Sequence, residues 1–561
     1  MRGFVQSIVG LVLALASTTA AQTAPQADQA GQKQPAVCTV LGQVLTAVEG
    51  SPLKSSRVVL IQENAGSHPQ AFAANTDSDG RFEIKKVTPG QYRFIASHAG
   101  YIAQQYKSKG MGGGALLTLA PGQEVNDGLF RLVRAAVVTG HVVDEVGEPM
   151  ARVAVTALRK LTAEEKEDWG PRAKKEELTA LSAAMTDDRG EYRIFGLKPG
   201  EYYVKASESD APGFFGSWGE DESMSWSVRT SLGSQYAPVF YPGVLQVDQA
   251  QPVALGPGDE VEADFAMRHV KTVEVAGRVV SSDGNPATRC YVQLDVPEAG
   301  WDDGFSASTS AKGEFSIKGV PPGSYVLTAQ ESDADIRHMT RQKLEVGNDN
   351  LDSLVIAFGK GTNIRGRIVA ASPGSALDRI RIQLESTSES DISAFGFGRV
   401  KRDGSFEIKE VSDGNYALWV YGMEQTWYIK SAHMGAEDVL QKGLEVERGS
   451  SGGMLEITLS SATAQLEGAV TEHDEPVAGA QVRVKPDPET PYNRIRATSA
   501  STDQNGRFTF GTLPPGKYRV TAKLPSASSQ SPEASSEPKT VTLGEHDHQA
   551  VQLMLSAPQS E

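Results

Sequence analysis

The chain has 561 residues, of which 39% are hydrophobic and 22% are charged, with 56 glycines and a formal net charge of −16 at pH 7. This length exceeds what one hydrophobic core usually holds, so several domains are expected, and the composition excludes a disordered chain. An acidic balance of this size repels phosphate backbones, which excludes nucleic acid as an expected partner.

The amino-terminal end has the features of an export signal. A single cation at Arg2 precedes the short apolar run 8–16, and small residues around Ala20 offer a cleavage site, so residues 1–21 are predicted to be a signal peptide. Residues 22–37 are predicted to be a linker. No later stretch approaches about 20 consecutive apolar residues, so no transmembrane segment is expected. The predicted location is secreted or periplasmic, and no lipid anchor is recognised.

The rest of the chain repeats one sequence frame five times. A turn glycine is followed two residues later by an aromatic residue, ten residues later by a second glycine and twelve residues later by a tyrosine. The turn glycines are Gly80, Gly190, Gly313, Gly404 and Gly506. The aromatic residues are Phe82, Tyr192, Phe315, Phe406 and Phe508. The tyrosines are Tyr92, Tyr202, Tyr325, Tyr416 and Tyr518. Each copy, with its flanking strands, is called a module, and the modules are numbered one to five.

Each part of the frame has a physical role. Asp and Asn side chains can bond the turn backbone, and glycine adopts the positive φ that a tight hairpin turn demands. The aromatic residue begins an alternating strand, such as residues 82–84, and a second turn leads into another alternating strand, as in Tyr92, Phe94 and Ala96. The frame therefore predicts a hairpin with one face in a hydrophobic core, where the tyrosines lie.

Further short strands complete each module. A glycine-led strand opens every copy, and the opening glycines are Gly42, Gly140, Gly277, Gly366 and Gly468. About seven short strands per roughly 100 residues are typical of a β-sandwich. The predicted fold class is all-β, with five tandem Ig-like or transthyretin-like β-sandwich modules and a small helical insertion in module two. The predicted boundaries of the modules are 38–134, 135–269, 270–360, 361–462 and 463–556, followed by a tail at 557–561.

The frame resembles a known domain family. The Thr-Asp-x-x-Gly-x-Phe turn from Thr502 to Phe508 and the Leu-Pro-Pro-Gly-x-Tyr segment from Leu513 to Tyr518 are similar to the carboxypeptidase regulatory-like domain. The resemblance covers modules one, two and five most strongly and module three least, where Ala311-Lys312 replaces the acidic turn. It implies a transthyretin-like sandwich, related in shape to collagen-adhesin B-type and starch-binding-like modules, that acts as an accessory and not as a peptidase.

The sequence shows no constellation typical of catalysis. A metallocarboxypeptidase holds zinc through closely spaced His and Glu residues, and neither His-x-x-Glu nor His-Glu-x-x-His occurs. We therefore predict no catalytic residues, no metal site and no cofactor, and a protein that is not an enzyme. Cys38 and Cys290 lie at strand positions of different modules, so we predict two buried thiols rather than a disulfide.

Module two departs from the frame at two insertions. Residues 160–184 are charged and are predicted to be helical with a break at Gly170-Pro171, whereas residues 207–244 are predicted to form an aromatic loop. The aromatic residues of this loop either bind a ligand or cover the edge of the sandwich as a satellite core. The candidate ligand-binding residues are Trp218, Trp226, Tyr236 and Tyr241.

The function expected from these features is that of a non-catalytic extracytoplasmic binding or scaffold protein. Carbohydrate is the favoured ligand class, because aromatic loops suit sugar rings and the resemblance includes starch-binding-like sandwiches. A polysaccharide or a cell-envelope protein would be the partner. A structural spacer or adhesion stalk, and an accessory to a separate hydrolase or outer-membrane transporter, remain as alternatives.

Overall fold

The structure is a computed structural model that describes most of the chain. The described residues are 36–63, 69–108, 113–161, 178–208, 236–245, 247–295, 304–331, 339–370, 377–387, 395–424, 426–447, 453–490, 492–493, 497–525 and 534–556. The predicted signal peptide, most of the predicted linker and the predicted tail lie outside them. The described residues are nearly all in strands and turns, which confirms the all-β fold class. Among them, no helix is both long and apolar enough to cross a membrane.

The first three modules contain most of the described strands. Module one contains β1 (Cys38–Thr46), β2 (Arg57–Gln62), β3 (Ala71–Asn75), β4 (Arg81–Val87), β5 (Gly90–Ser97), β6 (Gln104–Gln105), β7 (Leu116–Leu119) and β8 (Glu124–Leu132). Module two contains β9 (Ala136–Val143), β10 (Val153–Lys160), β11 (Leu178–Met185), β12 (Glu191–Leu197), β13 (Gly200–Glu208), β14 (Val239–Phe240), the 3-10 turn Val247–Gln249, β15 (Val253–Leu255), β16 (Glu260–Glu262) and β17 (Phe265–Ala266). Module three contains β18 (Val273–Val280), β19 (Cys290–Asp295), β20 (Gly304–Ser308), β21 (Glu314–Val320), β22 (Gly323–Glu331), β23 (Met339–Val346) and β24 (Leu351–Ala357).

The last two modules continue the series. Module four contains β25 (Thr362–Ala370), the 3-10 turn Leu377–Arg379, β26 (Arg381–Ser386), β27 (Phe395–Arg399), β28 (Ser405–Val411), β29 (Gly414–Tyr421), β30 (Tyr428–Met434), β31 (Glu437–Asp438), the helix α1 (Val439–Lys442), β32 (Leu444–Val446) and β33 (Met454–Ser460). Module five contains β34 (Ala464–Glu472), β35 (Glu475–Pro476), β36 (Gln481–Pro486), β37 (Thr498–Ser501), β38 (Arg507–Leu513), β39 (Gly516–Leu524), β40 (Ala534–Ser536), β41 (Lys539–Leu543) and β42 (His548–Ser556).

Modules one to four each consist of two facing sheets, and in module five β40 pairs with both β39 and β42 and so joins the two sheets into one of nine strands. In module one the opening strand β1 lies between the antiparallel β4 and the parallel β8, and the second sheet has the order β3-β2-β5, with β6 and β7 both paired to β5. The arrangement recurs with β9, β18, β25 and β34 as central opening strands, each paired in parallel with a closing strand. Each module has its own cluster of buried hydrophobic residues between the sheets.

In modules one, two, three and five, a side-chain oxygen three residues before the glycine closes the frame turn. In module four Lys401 stands at that position, and Asp403 Oδ1 accepts the backbone N–H of Ser405 at 3.0 Å instead. In module one, Asp77 Oδ1 accepts two backbone N–H bonds at 2.9 and 2.8 Å, and Gly80 has a φ of 72°. Module three lacks this aspartate, and Ser310 Oγ accepts the equivalent two bonds at 3.1 and 3.2 Å. A hydroxyl therefore replaces the carboxylate, which explains why the turn survives where the sequence match is weakest.

Both aromatic positions of the frame lie in the cores, as predicted. The five aromatic residues after the turns and the five tyrosines are each at most 5% exposed. Every tyrosine hydroxyl donates a hydrogen bond to the carbonyl oxygen four residues earlier, from Tyr518 to Pro514 at 2.7 Å in module five. The phenol is thereby buried without an unsatisfied polar group.

The opening glycines permit a close approach that a side chain would prevent. A Cβ atom at Gly468 would lie 2.1 Å from the carbonyl oxygen of Val551 and 2.5 Å from Cζ of Phe508. At the other four opening glycines the Cβ would lie between 1.9 and 2.5 Å from a carbonyl oxygen or ring carbon of the facing segments. The frame aromatic residue and the closing strand therefore occupy the space of the missing side chain.

The predicted helix in the first insertion of module two is wrong where the structure describes it. β10 runs to Lys160, and residues 178–185 form β11, which pairs antiparallel with β10 from Ala154–Met185 to Lys160–Leu178. The segment is rich in Ala and Leu, which favour helices, but pairing with β10 outweighs this weak local preference. Residues 162–177 lie outside the described part.

Both cysteines are free and buried, as predicted. Cys38 belongs to the core of module one and Cys290 to that of module three. Burial raises the pKa of the Cys290 thiol to about 11. Each thiol therefore behaves as a small apolar side chain of its core.

Candidate functional site

The four candidate ligand-binding residues belong to the second insertion of module two. Trp218 and Trp226 lie outside the described residues, whereas Tyr236 and Tyr241 are half-buried against the core of this module. The ends of the insertion are not loop: β13 continues to Glu208 and pairs with the short strand β14. Strand pairing thus holds both ends of the insertion against the sandwich.

The two described tyrosines contact module two through their rings. Tyr236 stacks on His269, with 4.1 Å between ring centroids and 38° between the planes. Tyr241 meets Phe265 edge to face at 6.3 Å, and its backbone N–H donates to the carbonyl of Val204 at 2.9 Å. These contacts fix the position of the carboxyl-terminal end of the insertion.

The two insertions also share a small hydrophobic cluster at the edge of module two. Leu158, Leu178 and Phe240 are its buried members, and Tyr203 and Val244 pack against them. This cluster is separate from the main core of the module. Phe240, an aromatic residue of the second insertion, therefore covers the edge of the sandwich, whereas Tyr236 and Tyr241 pack against the main core.

A polar cluster lies on the exposed side of β9, next to the end of β16 and the residues that follow β16. His141, Glu262 and Asp264 offer ligand atoms within 4.8 Å of one another, and all three side chains are exposed. Asp264 Oδ1 already accepts the backbone N–H of His141 at 2.8 Å. Three ligand atoms at this spacing suit a divalent cation, but exposed acidic groups are common without a bound ion.

Modules one and five contact each other although they are far apart in the sequence. The backbone N–H of Thr118 on β7 donates to Gln504 Oε1 at 2.9 Å, and Gln504 Nε2 donates to the carbonyl of Thr118 at 2.8 Å. Leu116 N–H donates to the carbonyl of Thr502 at 3.2 Å, and the Thr118 hydroxyl donates to Asp503 at 3.1 Å. The frame turn of module five therefore covers the outer edge of strand β7. We call this set of bonds the one–five contact.

Close packing accompanies these hydrogen bonds. Ala478 of module five packs against the hydrophobic core of module one. A Cβ atom at Gly479 would lie 3.2 Å from the backbone nitrogen of Ala115, and one at Gly113 would lie 2.7 Å from Nε2 of Gln481. The one–five contact thus combines edge-strand pairing with buried apolar surface.

We predict that the one–five contact can be weakened at one side chain. Replacing Gln504 by alanine removes both amide bonds to Thr118, each of which contributes about 0.5 to 1.5 kcal/mol. Hydrogen exchange of the Thr118 amide in the full chain should accelerate by about tenfold, and small-angle scattering should show a more extended particle.

The matched control for this experiment is Asn505→Ala. Asn505 belongs to the same turn and its side chain is exposed, so its removal should leave the exchange of the Thr118 amide unchanged. If that amide exchanges as fast in the parent protein as in the Gln504→Ala variant, the contact does not form in solution.

Modules four and five are also joined by specific contacts. Lys430 Nζ and Glu545 Oε1 are 2.7 Å apart, and this hydrogen-bonded pair raises the pKa of Lys430 and lowers that of Glu545. At a second point of contact, a Cβ atom at Gly443 would lie 2.3 Å from the ring of Tyr492. Module five therefore touches both module one and module four.

These contacts enclose a cavity between three modules, which we call the junction cavity. Its volume is about 1010 Å³. Module one contributes residues of β5 and β7 with Glu63 and Gln105, module four contributes Met423 and 426–429, and module five contributes residues of β36, β37 and β38. The cavity joins segments from opposite ends of the chain.

The repeat frame does not predict this cavity. Trp427 and Tyr428 stand out as aromatic residues of module four beyond the frame, and both line the cavity. Gln504 carries no signal of its own, because its turn satisfies the same frame as the other four turns. Its role depends on which edge strand the turn meets, and the repeat does not encode that.

The comparison with protein families matches two of the modules. Residues 39–126 and 465–556 match the model of the carboxypeptidase regulatory-like domain. No curated protein matches the chain.

Solved structures with local likeness include several pilins. A streptococcal ancillary pilin is 12% identical, with 57% of this chain and 97% of the pilin covered and a TM-score of 0.19. The minor pilin GBS52 of Streptococcus agalactiae is 16% identical, with 41% and 96% covered and a TM-score of 0.22. The major pilin subunit BcpA of Bacillus cereus is 12% identical, with 75% and 100% covered and a TM-score of 0.14. Scores this low do not identify a common arrangement of modules.

The match of the family model falls on modules one and five, the two modules that form the one–five contact. Both have the buried tyrosine and the aspartate-closed turn that the frame predicted, and the structure adds a parallel pair of opening and closing strands in each. Residues 39–126 and 465–556 are therefore similar to the carboxypeptidase regulatory-like domain.

Proposed function

We propose that the protein is a non-catalytic extracytoplasmic binding and scaffold protein. The observation that supports this best is the one–five contact, which joins Thr118 to Gln504 across 386 positions of sequence. A spacer or an adhesion stalk gains length when its modules continue in one direction. A chain whose first and last modules contact each other does not gain this length. It has a surface shared by several modules instead, so the contact favours a scaffold.

Two features of the sequence support the rest of the proposal. The signal-like residues 1–21 favour export, and the regulatory-like domain is by resemblance an accessory module. The proposed partner is a polysaccharide or a cell-envelope protein. Carbohydrate stays the favoured ligand class, with Trp218 and Trp226 as anchors and Tyr236 and Tyr241 at the edge of the site.

The packing of the described tyrosines is consistent with such a site. Tyr236 and Tyr241 are held by His269 and Phe265, so they form a rigid base for the aromatic loop predicted to precede them. Indole rings offer large flat faces, and each contact with a ligand would contribute about 1 kcal/mol beyond its buried area. A loop on a rigid base loses less conformational entropy on binding than a loop without one.

The test is retention on insoluble polysaccharide, including peptidoglycan. The Trp218→Ala, Trp226→Ala double variant should keep its fold and lose most of the retention that the parent shows. The matched control is Phe195→Ala, which removes a 60% exposed aromatic ring from β12 of the same module. Loss of retention in the control as well would mean that the loop is not the site, and absence of retention in the parent would refute carbohydrate binding.

A further inference from the structure

The junction cavity has the size of a ligand site. Its volume of about 1010 Å³ is at the upper end of the range of small-molecule pockets, about 300 to 1,000 Å³. Such pockets occur preferentially where domains meet, because two surfaces enclose space that one convex surface cannot. The space suits a ligand of several linked rings better than a single small ring.

One wall of the cavity presents aromatic side chains of module four. Trp427 is half-buried and packs against the hydrophobic core of that module. The neighbouring Tyr428 is 6% exposed, and its hydroxyl has no hydrogen-bond partner among the described residues. A buried hydroxyl without a partner costs free energy, which a hydrogen-bonding ligand or a bound water can offset.

The other walls present amides and hydroxyls. Gln91 and Gln105 come from module one and Gln481 from module five, with Thr498 and Ser499 on β37. Gln481 is held in place by a bond from its Nε2 to Ser501 Oγ at 2.7 Å. An amide offers two N–H donors and a carbonyl oxygen, so one such bond uses only part of its capacity. The side chains of these walls can therefore both donate hydrogen bonds to a ligand and accept hydrogen bonds from it.

The charges of the cavity do not select an ionic ligand. Arg93 and Glu63 form an ion pair at 3.3 Å, which compensates both charges. Arg507 adds a cation whose side chain is exposed to solvent. A site for a phosphate or a polyanion would instead converge several cations on one point.

From these features we infer that the junction cavity binds a neutral oligosaccharide, at a site separate from the second insertion of module two. The hydroxyls of the sugar would bond the glutamine amides and the Tyr428 hydroxyl, and the C–H face of one sugar ring would stack on Trp427. The inference rests on the proposed function for the ligand class. It adds that the contact between the first and last modules builds the site.

The experiment is calorimetric titration of the full chain with maltohexaose, cellohexaose and chitohexaose, each up to about 1 mM. At least one should bind the parent, and Trp427→Ala should lower its affinity by about tenfold or more. Ser499→Trp should have the same effect, because it fills the cavity from an exposed strand position and leaves the core of module four intact. The matched control is Tyr421→Ala, which removes a 49% exposed ring of module four that does not line the cavity.

The two proposed sites can fail independently. If the Trp218→Ala, Trp226→Ala variant abolishes binding while Trp427→Ala and Ser499→Trp leave it unchanged, the proposed function stands and the junction site is refuted. If Trp427→Ala and Ser499→Trp abolish binding and the double variant does not, the junction site is supported. Weaker binding in Gln504→Ala supports the role of the one–five contact. Binding of a peptide in place of all three oligosaccharides would overturn the inference.

Discussion

Replacing Tyr518 by alanine is expected to lower the free energy of unfolding of module five by about 3 to 5 kcal/mol. The side chain is 1% exposed and belongs to the core cluster of this module. Its removal would leave a cavity in a packed core and an unpaired acceptor at Pro514, whose carbonyl oxygen lies 2.7 Å from the hydroxyl. The change should be read from hydrogen exchange of the core amides of β36 and β39, because a chain of several modules does not unfold in one transition.

The control Tyr518→Phe separates the ring from its hydroxyl. It keeps the buried ring and removes one hydrogen bond, so the loss should be about 1 kcal/mol. A loss of less than about 1 kcal/mol in the alanine variant would contradict the burial of the whole tyrosine column.

The second large effect is expected at the opening strand. Gly468→Ala should destabilise module five by about 2 to 3 kcal/mol, the upper part of the usual range for overpacking a core. The new Cβ would lie 2.1 Å from the Val551 carbonyl oxygen and 2.5 Å from the Phe508 ring, so β42 or the ring must move. The measurement is again exchange of the core amides of module five.

Gly511→Ala provides the matched control in the same module. A Cβ atom at this position meets no other atom within 4 Å, and Gly511 is exposed. Its substitution should change stability by less than about 0.5 kcal/mol. Equal effects at Gly468 and Gly511 would show that the opening glycine has no steric role.

The frame predicted the cores well because it records local geometry. The turn glycine, the aromatic residue and the tyrosine lie within a single hairpin, so their spacing follows from strand periodicity and turn length. The steric role of Gly468 did not follow from the frame, because the atoms it meets belong to Phe508 and to Val551 of β42, about 40 and 80 residues later. The turn of module three was also not predicted in detail, since Ser310 Oγ accepts the bonds that an aspartate accepts in module one.

The carboxyl-terminal end of the helix predicted in module two is wrong for a related reason. The segment from Leu178 to Met185 has local helical preference, but it lies beside β10, which pairs with it along its whole length. Local propensity contributes less than about 1 kcal/mol per residue, and strand pairing at the edge of an existing sheet outweighs it. Only the position of the segment beside β10 in the folded module decides that it forms a strand and not a helix.

The sequence by itself determined the all-β class, the five repeated hairpins, the buried tyrosines and the buried thiols, because each depends on residues close together in the chain or on alternation within one strand. The tertiary structure alone decided which modules meet. Gln504 lies in a turn that resembles its four counterparts, and it pairs with Thr118 only because the chain brings β7 beside it. Contacts between modules use exposed edges and turn tips, where no periodic pattern marks a residue in advance, so the one–five contact and the junction cavity could not be read from the repeat.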